Sequence, residues 1–242
     1  MRAIFPAERE QQLVADFFSG VGTPFFVDVG AAHPSFGSQT WHLEQAGWSG
    51  VLVEPQPEMA ELLRKSRRAR VYEAACSSPG NAGREMLLRV RGRYSTLNDT
   101  FVVAGLQAQG VLSVPTMTLD AILADANAPR PIDFVSIDVE GHEIDVLAGF
   151  DLGYWQPRLI LIEDHVLNLK LHHTIQARGY KWRRRSGLNS WYVAADFPME
   201  VSWWGWLQFF RKYYLSIPTR RVRDAVRRAR AATGVLPPSD HH

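Results

Sequence analysis

The chain has 242 residues, 46% hydrophobic and 21% charged, the composition of one globular domain long enough to bury a core without staples. Its single cysteine, Cys76, excludes an intrachain disulfide and a cysteine zinc site. The net charge of +2 hides an asymmetry, because residues 201–242 carry eight Arg and Lys against two acids while residues 1–200 carry nineteen against twenty-three. That balance argues against a dedicated nucleic-acid protein and for one localised anionic contact.

In chain order, a first helix is expected over Ala7–Phe18, with Leu13, Val14, Phe17 and Phe18 at core-facing spacing. Strands are expected at Pro24–Val29, Gly50–Glu54 and Arg70–Ala75, separated by helices near Ser38–Ala46 and Pro57–Arg67. The basic cluster Arg64, Lys65, Arg67, Arg68 and Arg70 closes the second of these helices and reads as a solvated face. Met86–Arg91 reads as an extra strand, and Tyr94–Gly110 is an insertion placed as an acceptor lid. Thr118 is the expected N-cap of a helix over Leu119–Ala126.

Ile132–Ile137 and Arg158–Ile162 are near-continuously apolar, as strands buried on both faces should be. A short helix, Glu143–Gly149, lies between them, and Tyr180–Arg185 with Ser190–Ala195 forms a closing antiparallel hairpin. These elements predict an α/β fold, a doubly wound seven-stranded sheet with helices on both faces and ligands at the carboxyl ends of its strands. Residues 1–200 are assigned to this domain and residues 201–242 to an aromatic and basic C-terminal helical tail. No signal-peptide pattern opens the chain and no run of about 18 apolar residues occurs, so a cytoplasmic location is expected.

Three strand ends carry ionisable groups. Asp28 and Gly30 close the first strand, and Glu54 closes the second, 24 residues after Gly30. A carboxylate there suits the two hydroxyls of a ribose, and the absence of G-x-G-x-x-G and of a G-K-[ST] loop points to S-adenosylmethionine rather than a pyrophosphate cofactor. The segment IDVEGHE sets Asp138, Glu140, His142 and Glu143 after the fourth strand. Glu163, Asp164 and His165 follow the fifth. On adjacent strands Asp138 and Asp164 are expected to converge, a pair that suits a divalent metal such as Mg²⁺ or Mn²⁺. The order Asp138, then Asp164-His165, looks like the metal ligands of catechol-type O-methyltransferases, with His165 where an Asn would stand. With the metal the hydroxyl is acidified by its charge, and without it His142 is the expected general base alone. Asp138 and Glu140 are the other candidate catalytic residues, while Glu143 is read as a helix-N-terminal acid.

Across residues 25–165 the ordered motifs VDVGA (Val27–Ala31), S-x-T-x-x-L-E (Ser38–Glu44), GWSGVLVEPQP (Gly47–Pro57), TLDAIL (Thr118–Leu123), IDFVSIDVEGHEIDVLAGF (Ile132–Phe150) and LILIEDH (Leu159–His165) together resemble the FkbM-type S-adenosylmethionine-dependent methyltransferases. The resemblance implies a Rossmann-like methyltransferase sheet. It places Asp28 and Gly30 at the methionine end of the cofactor, Glu54 at its ribose, the segment Ala75-Cys76-Ser77 beside its adenine and Asp138 beside the transferred methyl, with Ala31, Ser38 and Pro55 also counted as cofactor-binding. His33-Pro34 stands where the family commonly has Asp-Gly, and Gln39 where it has Asn. The implied activity is O-methylation of a hydroxyl on a sugar of a glycan or glycosylated, lipid-linked metabolite. The alternatives are a methyltransferase of a non-sugar natural product and a membrane-docked binding protein that kept the fold without the chemistry. Residues 201–232, rich in tryptophan and arginine, are expected to meet an anionic membrane surface peripherally or a second subunit.

Overall fold

A computed structural model describes residues 6–20, 22, 24–90, 95–97, 109–165 and 169–232. The first helix, α1 (Pro6–Phe17), precedes β1 (Phe25–Val29), α2 (Trp41–Gln45), β2 (Ser49–Val53), α3 (Pro57–Ser66) and β3 (Arg70–Tyr72). Two further strands, β4 (Ala75–Cys76) and β5 (Glu85–Val90), are followed by β6 (Gly110–Met117), α4 (Leu119–Asp125) and β7 (Phe134–Ile137). The rest comprises α5 (Glu143–Ala148), α6 (Leu152–Trp155), β8 (Leu159–Glu163), α7 (Lys170–Gln176), β9 (Tyr180–Ser186) and β10 (Asn189–Ala194). The C-terminal part is α8 (Trp203–Phe210), a π-helical turn (Arg211–Leu215) and α9 (Ile217–Ala232).

Seven strands form the main sheet in the order β3-β2-β1-β7-β8-β10-β9. The pairings β3-β2-β1-β7-β8 are parallel and the β10 pairings antiparallel, as the apolar runs and the closing hairpin predict. The order reverses at β1, so the carboxyl ends of β1, β2 and β7 open a crevice on one edge. Apolar side chains fill both faces. Val27, Val29, Val135 and Ile137 pack with α4 and α5 on one side, and Phe26, Leu52 and Phe134 pack with Val14 of α1 and Phe18 just after it on the other.

Two expectations are corrected. Arg70–Ala75 is not one strand: β3 ends at Tyr72, and Ala75-Cys76 pairs with β6 in a second, three-stranded sheet ordered β4-β6-β5. The strand β6 was not expected. Its central Pro115 and mostly exposed residues hide the alternation that marks a strand. Of the expected lid, residues 94 and 98–108 lie outside the described residues, whereas 95–97 border the crevice.

Candidate active site

The crevice is a cleft of about 510 Å³ including its open mouth, at the strand ends where doubly wound sheets bind ligands. Its walls include Gly30, Ala32, Glu54, Pro55, Gln56, Ala75, Cys76, Leu88, Ser95, Leu97, Asp138 and His142. Of the expected cofactor residues, Gly30, Glu54, Pro55, Ala75, Cys76 and Asp138 are brought together there. Leu88, Ser95 and Leu97 belong to the smaller sheet and the segment paired with it, a long-range contribution that no local motif announces.

Gly30 has a positive φ of +86°, and a Cβ on it would lie 1.9 Å from the carbonyl oxygen of Asp138. Only glycine allows the ends of β1 and β7 to approach so closely. The amides of Gly30 and Ala31 both donate to Val53 O, at 2.9 and 3.1 Å, and Asp138 N donates to Val29 O at 2.9 Å. Three strand ends are thereby locked into one rim.

Three expected cofactor residues sit behind this rim rather than on it. Asp28 is buried and accepts a 2.6 Å hydrogen bond from the Thr40 hydroxyl. Burial raises its pKa, and the Thr40 bond offsets this only in part. Ala31 is buried. Ser38 is a correction, because its hydroxyl accepts from Trp41 N at 3.1 Å and from Arg67 at 3.3 Å and so holds the start of α2. Arg67, in turn, is not solvated as expected. Its Nε lies 2.9 Å from Glu44, both side chains being almost wholly buried, and Glu44 also accepts the amides of Arg68 and Ala69. The S-x-T-x-x-L-E motif is therefore a brace for the loop. Its departures are accommodated locally. His33 Nδ1 accepts from Ser35 N and Phe36 N at 3.2 and 3.0 Å, an acceptor role that an Asp side chain fills in turns. Gln39 donates to Glu10 at 3.1 Å.

Glu54 is 2% exposed. One carboxylate oxygen accepts from Ala32 N at 2.8 Å and the other from Gln56 N at 2.9 Å. The second oxygen also accepts from Gln56 Nε2 at 3.4 Å, whereas the first keeps a lone pair that suits a ribose hydroxyl. Burial raises its pKa, and the two amides oppose that rise. The carboxylate, the side-chain-free Gly30 and the apolar Ala75-Cys76 wall thus fit the ribose, amino-acid and adenine parts of S-adenosylmethionine. Burial pushes the Cys76 thiol up, which makes it packing rather than a nucleophile.

The β7 and β8 ends are crowded with acids. Asp138 is open to the cleft, whereas Glu140, Glu143 and Glu163 are buried. Glu140 and Gly141 both have positive φ, +52° and +97°, and the Glu143 carboxylate closes this turn by accepting from Gly141 N at 2.8 Å. Burial raises Glu143 to about 7. Loss of water at the base of the cleft, then the charge of Glu163, raise Asp138 well above the carboxylate range, and its side chain is hydrogen-bonded to Glu163. Burial opposes the charged form of Glu163, yet His165 outweighs it and holds Glu163 low. His165 lies 3.4 Å from Glu163 and 3.7 Å from Glu140. Burial disfavours the charged ring, but these two acids prevail and lift His165 to about 10. Asp138 therefore carries the proton and Glu163 the negative charge, beside an imidazolium.

The expected metal set is also corrected. Asp164 Oδ2 accepts from the Tyr213 hydroxyl at 2.5 Å and lies 3.8 Å from Arg185. Successive strand residues face opposite sides, so Glu163, not Asp164, meets Asp138. Among the described residues, Glu140, Glu163 and His165 are the three whose ligand atoms converge within 4.8 Å, and the imidazolium already supplies the positive charge there.

His142 lines the cleft, but its nitrogens are engaged. Asn81 donates to the Ser77 hydroxyl at 2.9 Å, and that hydroxyl shares a 2.9 Å hydrogen bond with His142 Nε2 whose direction follows the ring tautomer. The Asp145 carboxylate, which only accepts, favours the proton on Nδ1, so that Ser77 donates. Nδ1–H then faces Asp145 at 3.6 Å. Burial lowers the pKa of the ring, and the Asp145 charge opposes this. A neutral imidazole has one lone pair, and Ser77 takes it. His142 is thus held as a wall of the cleft by Ser77 and Asp145.

The sequence matches the Methyltransferase FkbM domain family over residues 28–181, and no match is found among curated proteins. Among solved structures, the chain is similar to methyltransferase FkbM from Methylobacillus flagellatus KT at 15% identity and a TM-score of 0.44, covering 77% of this chain and 51% of that one. The chain thus spans about half the length of that relative. Ribosomal protein L11 methylase from Lactobacillus delbrueckii subsp. bulgaricus is 9% identical, with 78% of each chain covered and a TM-score of 0.44. TrmK from M. capricolum, solved with S-adenosyl-homocysteine, is 11% identical, with 98% of this chain and 100% of that one covered and a TM-score of 0.39.

Proposed function

The chain belongs to the FkbM methyltransferase domain family, and from that premise we propose that it is an S-adenosylmethionine-dependent O-methyltransferase acting on a sugar hydroxyl. The observation that carries this reading is the hydrogen-bonded carboxyl pair Asp138–Glu163, whose Asp138 member opens into the cleft. When bound, S-adenosylmethionine supplies an electrophilic sulfonium methyl group. Glu54 holds the ribose, and the locked ends of β1 and β7 fix the donor's direction, so that an acceptor on the Asp138 side is aligned for in-line attack.

As the acceptor oxygen bonds to the methyl carbon and the carbon–sulfur bond breaks, Asp138 takes the hydroxyl proton and passes its own to Glu163. His165 keeps Glu163 anionic until that moment. Asp138 is the acid of this end that lines the cleft, and a carboxyl oxygen there can accept from an O–H of the acceptor, a chemistry that a sugar offers. The metal set Asp138, Asp164 and His165 does not fit, and no step is derived through a metal.

Incubation with methyl-labelled S-adenosylmethionine and a panel of glycosides, amines and thiols tests the reading. Label in a base-stable methyl ether of a glycoside is the expected result. Label confined to nitrogen or sulfur would overturn it.

A further inference from the structure

The C-terminal helical segment carries more apolar surface than its own domain covers. Phe209, Tyr213 and Ile217, spaced four apart, are buried in the main core. The opposite side of the same segment exposes Trp203, Trp204, Trp206, Phe210 and Tyr214 at 72%, 78%, 56%, 52% and 51%. A helix apolar all round has a second burial partner. Residues 201–223 contain no Asp or Glu, and Arg211 and Arg223 are exposed. Burial, followed by the nearby Arg220, Arg185 and Arg211, depresses Lys212, as expected where cations crowd one surface.

We propose that α8, the π-helical turn and the start of α9 dock this chain peripherally on an anionic phospholipid surface. Indole and phenol rings beside arginines match the headgroup zone, where apolar rings meet a wet, negatively charged edge. A second copy matches less well, since an isologous contact would bring the same arginines of both chains to one interface. No helix among the described residues is long and apolar enough to cross a membrane, so the segment lies on the surface. The docking segment is fastened to the reaction end of the sheet. Tyr213 bonds Asp164 at 2.5 Å, and Arg220 donates to His165 O at 3.1 Å, the two residues directly after Glu163. Docking would hold that end beside the bilayer, where an acceptor on a lipid is presented. The proposal goes beyond methyl transfer and does not depend on it.

Flotation of the full chain with phosphatidylcholine vesicles, alone or carrying about one-third phosphatidylglycerol, tests it. Binding to the anionic vesicles only, weakened by salt, is expected. Replacing Trp203, Trp204 and Trp206 by Ser should weaken it more than about tenfold. Arg211→Gln and Arg223→Gln should each weaken it about fivefold, with melting temperatures unchanged because all five side chains are exposed. Failure of the parent chain to float would overturn the proposal. So would undiminished binding of the tryptophan variant, or a self-association abolished by that variant without vesicle binding, which would make a second copy the occupant.

Discussion

The two halves of the cleft use carboxylates in opposite ways. At the β2 end, Glu54 stands apart and each oxygen is held by one backbone amide. At the β7–β8 end, Asp138, Glu140, Glu143 and Glu163 crowd around His165, and Arg185 adds its charge to that of the ring on Glu163. A carboxylate pinned by fixed donors has one geometry and one charge, which suits recognition. Carboxylates that share protons respond to a substrate, which suits chemistry. In the proposed function, binding and proton transfer are thus separated along one sheet edge, with Gly30 between them.

Asp138→Asn should break the chemical half alone. The amide keeps the shape but cannot take and pass on a proton, so kcat is expected to fall about 10²- to 10⁴-fold. Affinity for S-adenosylmethionine, read by calorimetry, should change less than about threefold, a shift of under 1 kcal/mol. Retained turnover would remove Asp138 from the reaction. Gly30→Ala should damage both halves together. Its Cβ would meet the Asp138 carbonyl at 1.9 Å, and a loss of more than about 3 kcal/mol in urea unfolding is expected. Glu54→Ala should act on the binding half, weakening the cofactor roughly 10- to 100-fold, or about 1–3 kcal/mol, with the melting curve of the unliganded protein little changed. Equal affinities would mean that the ribose is held elsewhere.

The main sheet was legible because its strands are long apolar runs whose ends are marked by Asp28, Glu54, Asp138 and Glu163. The small sheet was not, since β4 has two residues and β6 is largely exposed. At the reaction end the motif was readable but its phase was not. Glu163 and Asp164 are adjacent acids on alternating faces, and which of them meets Asp138 depends on how Tyr213 and Arg185 engage the other. Arg67 misled for a similar reason: within a run of basic residues, nothing local shows that one guanidinium is buried against Glu44, 23 residues earlier. His142 was legible as a cleft residue, but the hydroxyl that takes its lone pair lies 65 residues away.

His165 sharpens the comparison because Glu54 is held by neutral backbone amides and not by a charged ring. Its folded pKa is raised from 6.5 to about 10. The unfolded chain therefore releases this proton first as pH rises. The stabilisation is fully present below 6.5 and is lost as pH climbs through the folded value. Thermal unfolding should show stability declining between these limits, and His165→Gln should flatten that decline. Glu143 acts in a separate, lower window, from 4.5 to about 7. An unchanged slope in the variant would show that the ring is not the cation of the cluster.

The smallest expected effect concerns His142, which borders both halves. With Ser77 donating to Nε2 and Asp145 facing Nδ1, the ring has no lone pair to offer a hydroxyl proton. His142→Gln preserves a polar wall able to meet Ser77, so kcat is expected to stay within about threefold, under 1 kcal/mol of barrier. The pH–rate profile should keep its shape, because the groups that titrate in the reaction are the carboxyls. A base role predicts otherwise: the variant would lose activity most at neutral and mildly acidic pH, and its profile would lose the limb that reports an imidazole. Ser77→Ala separates the two cases further. Freeing Nε2 would raise the rate if the ring were a blocked base, whereas a wall residue that loses its tether should instead loosen cofactor binding slightly, by about 1 kcal/mol.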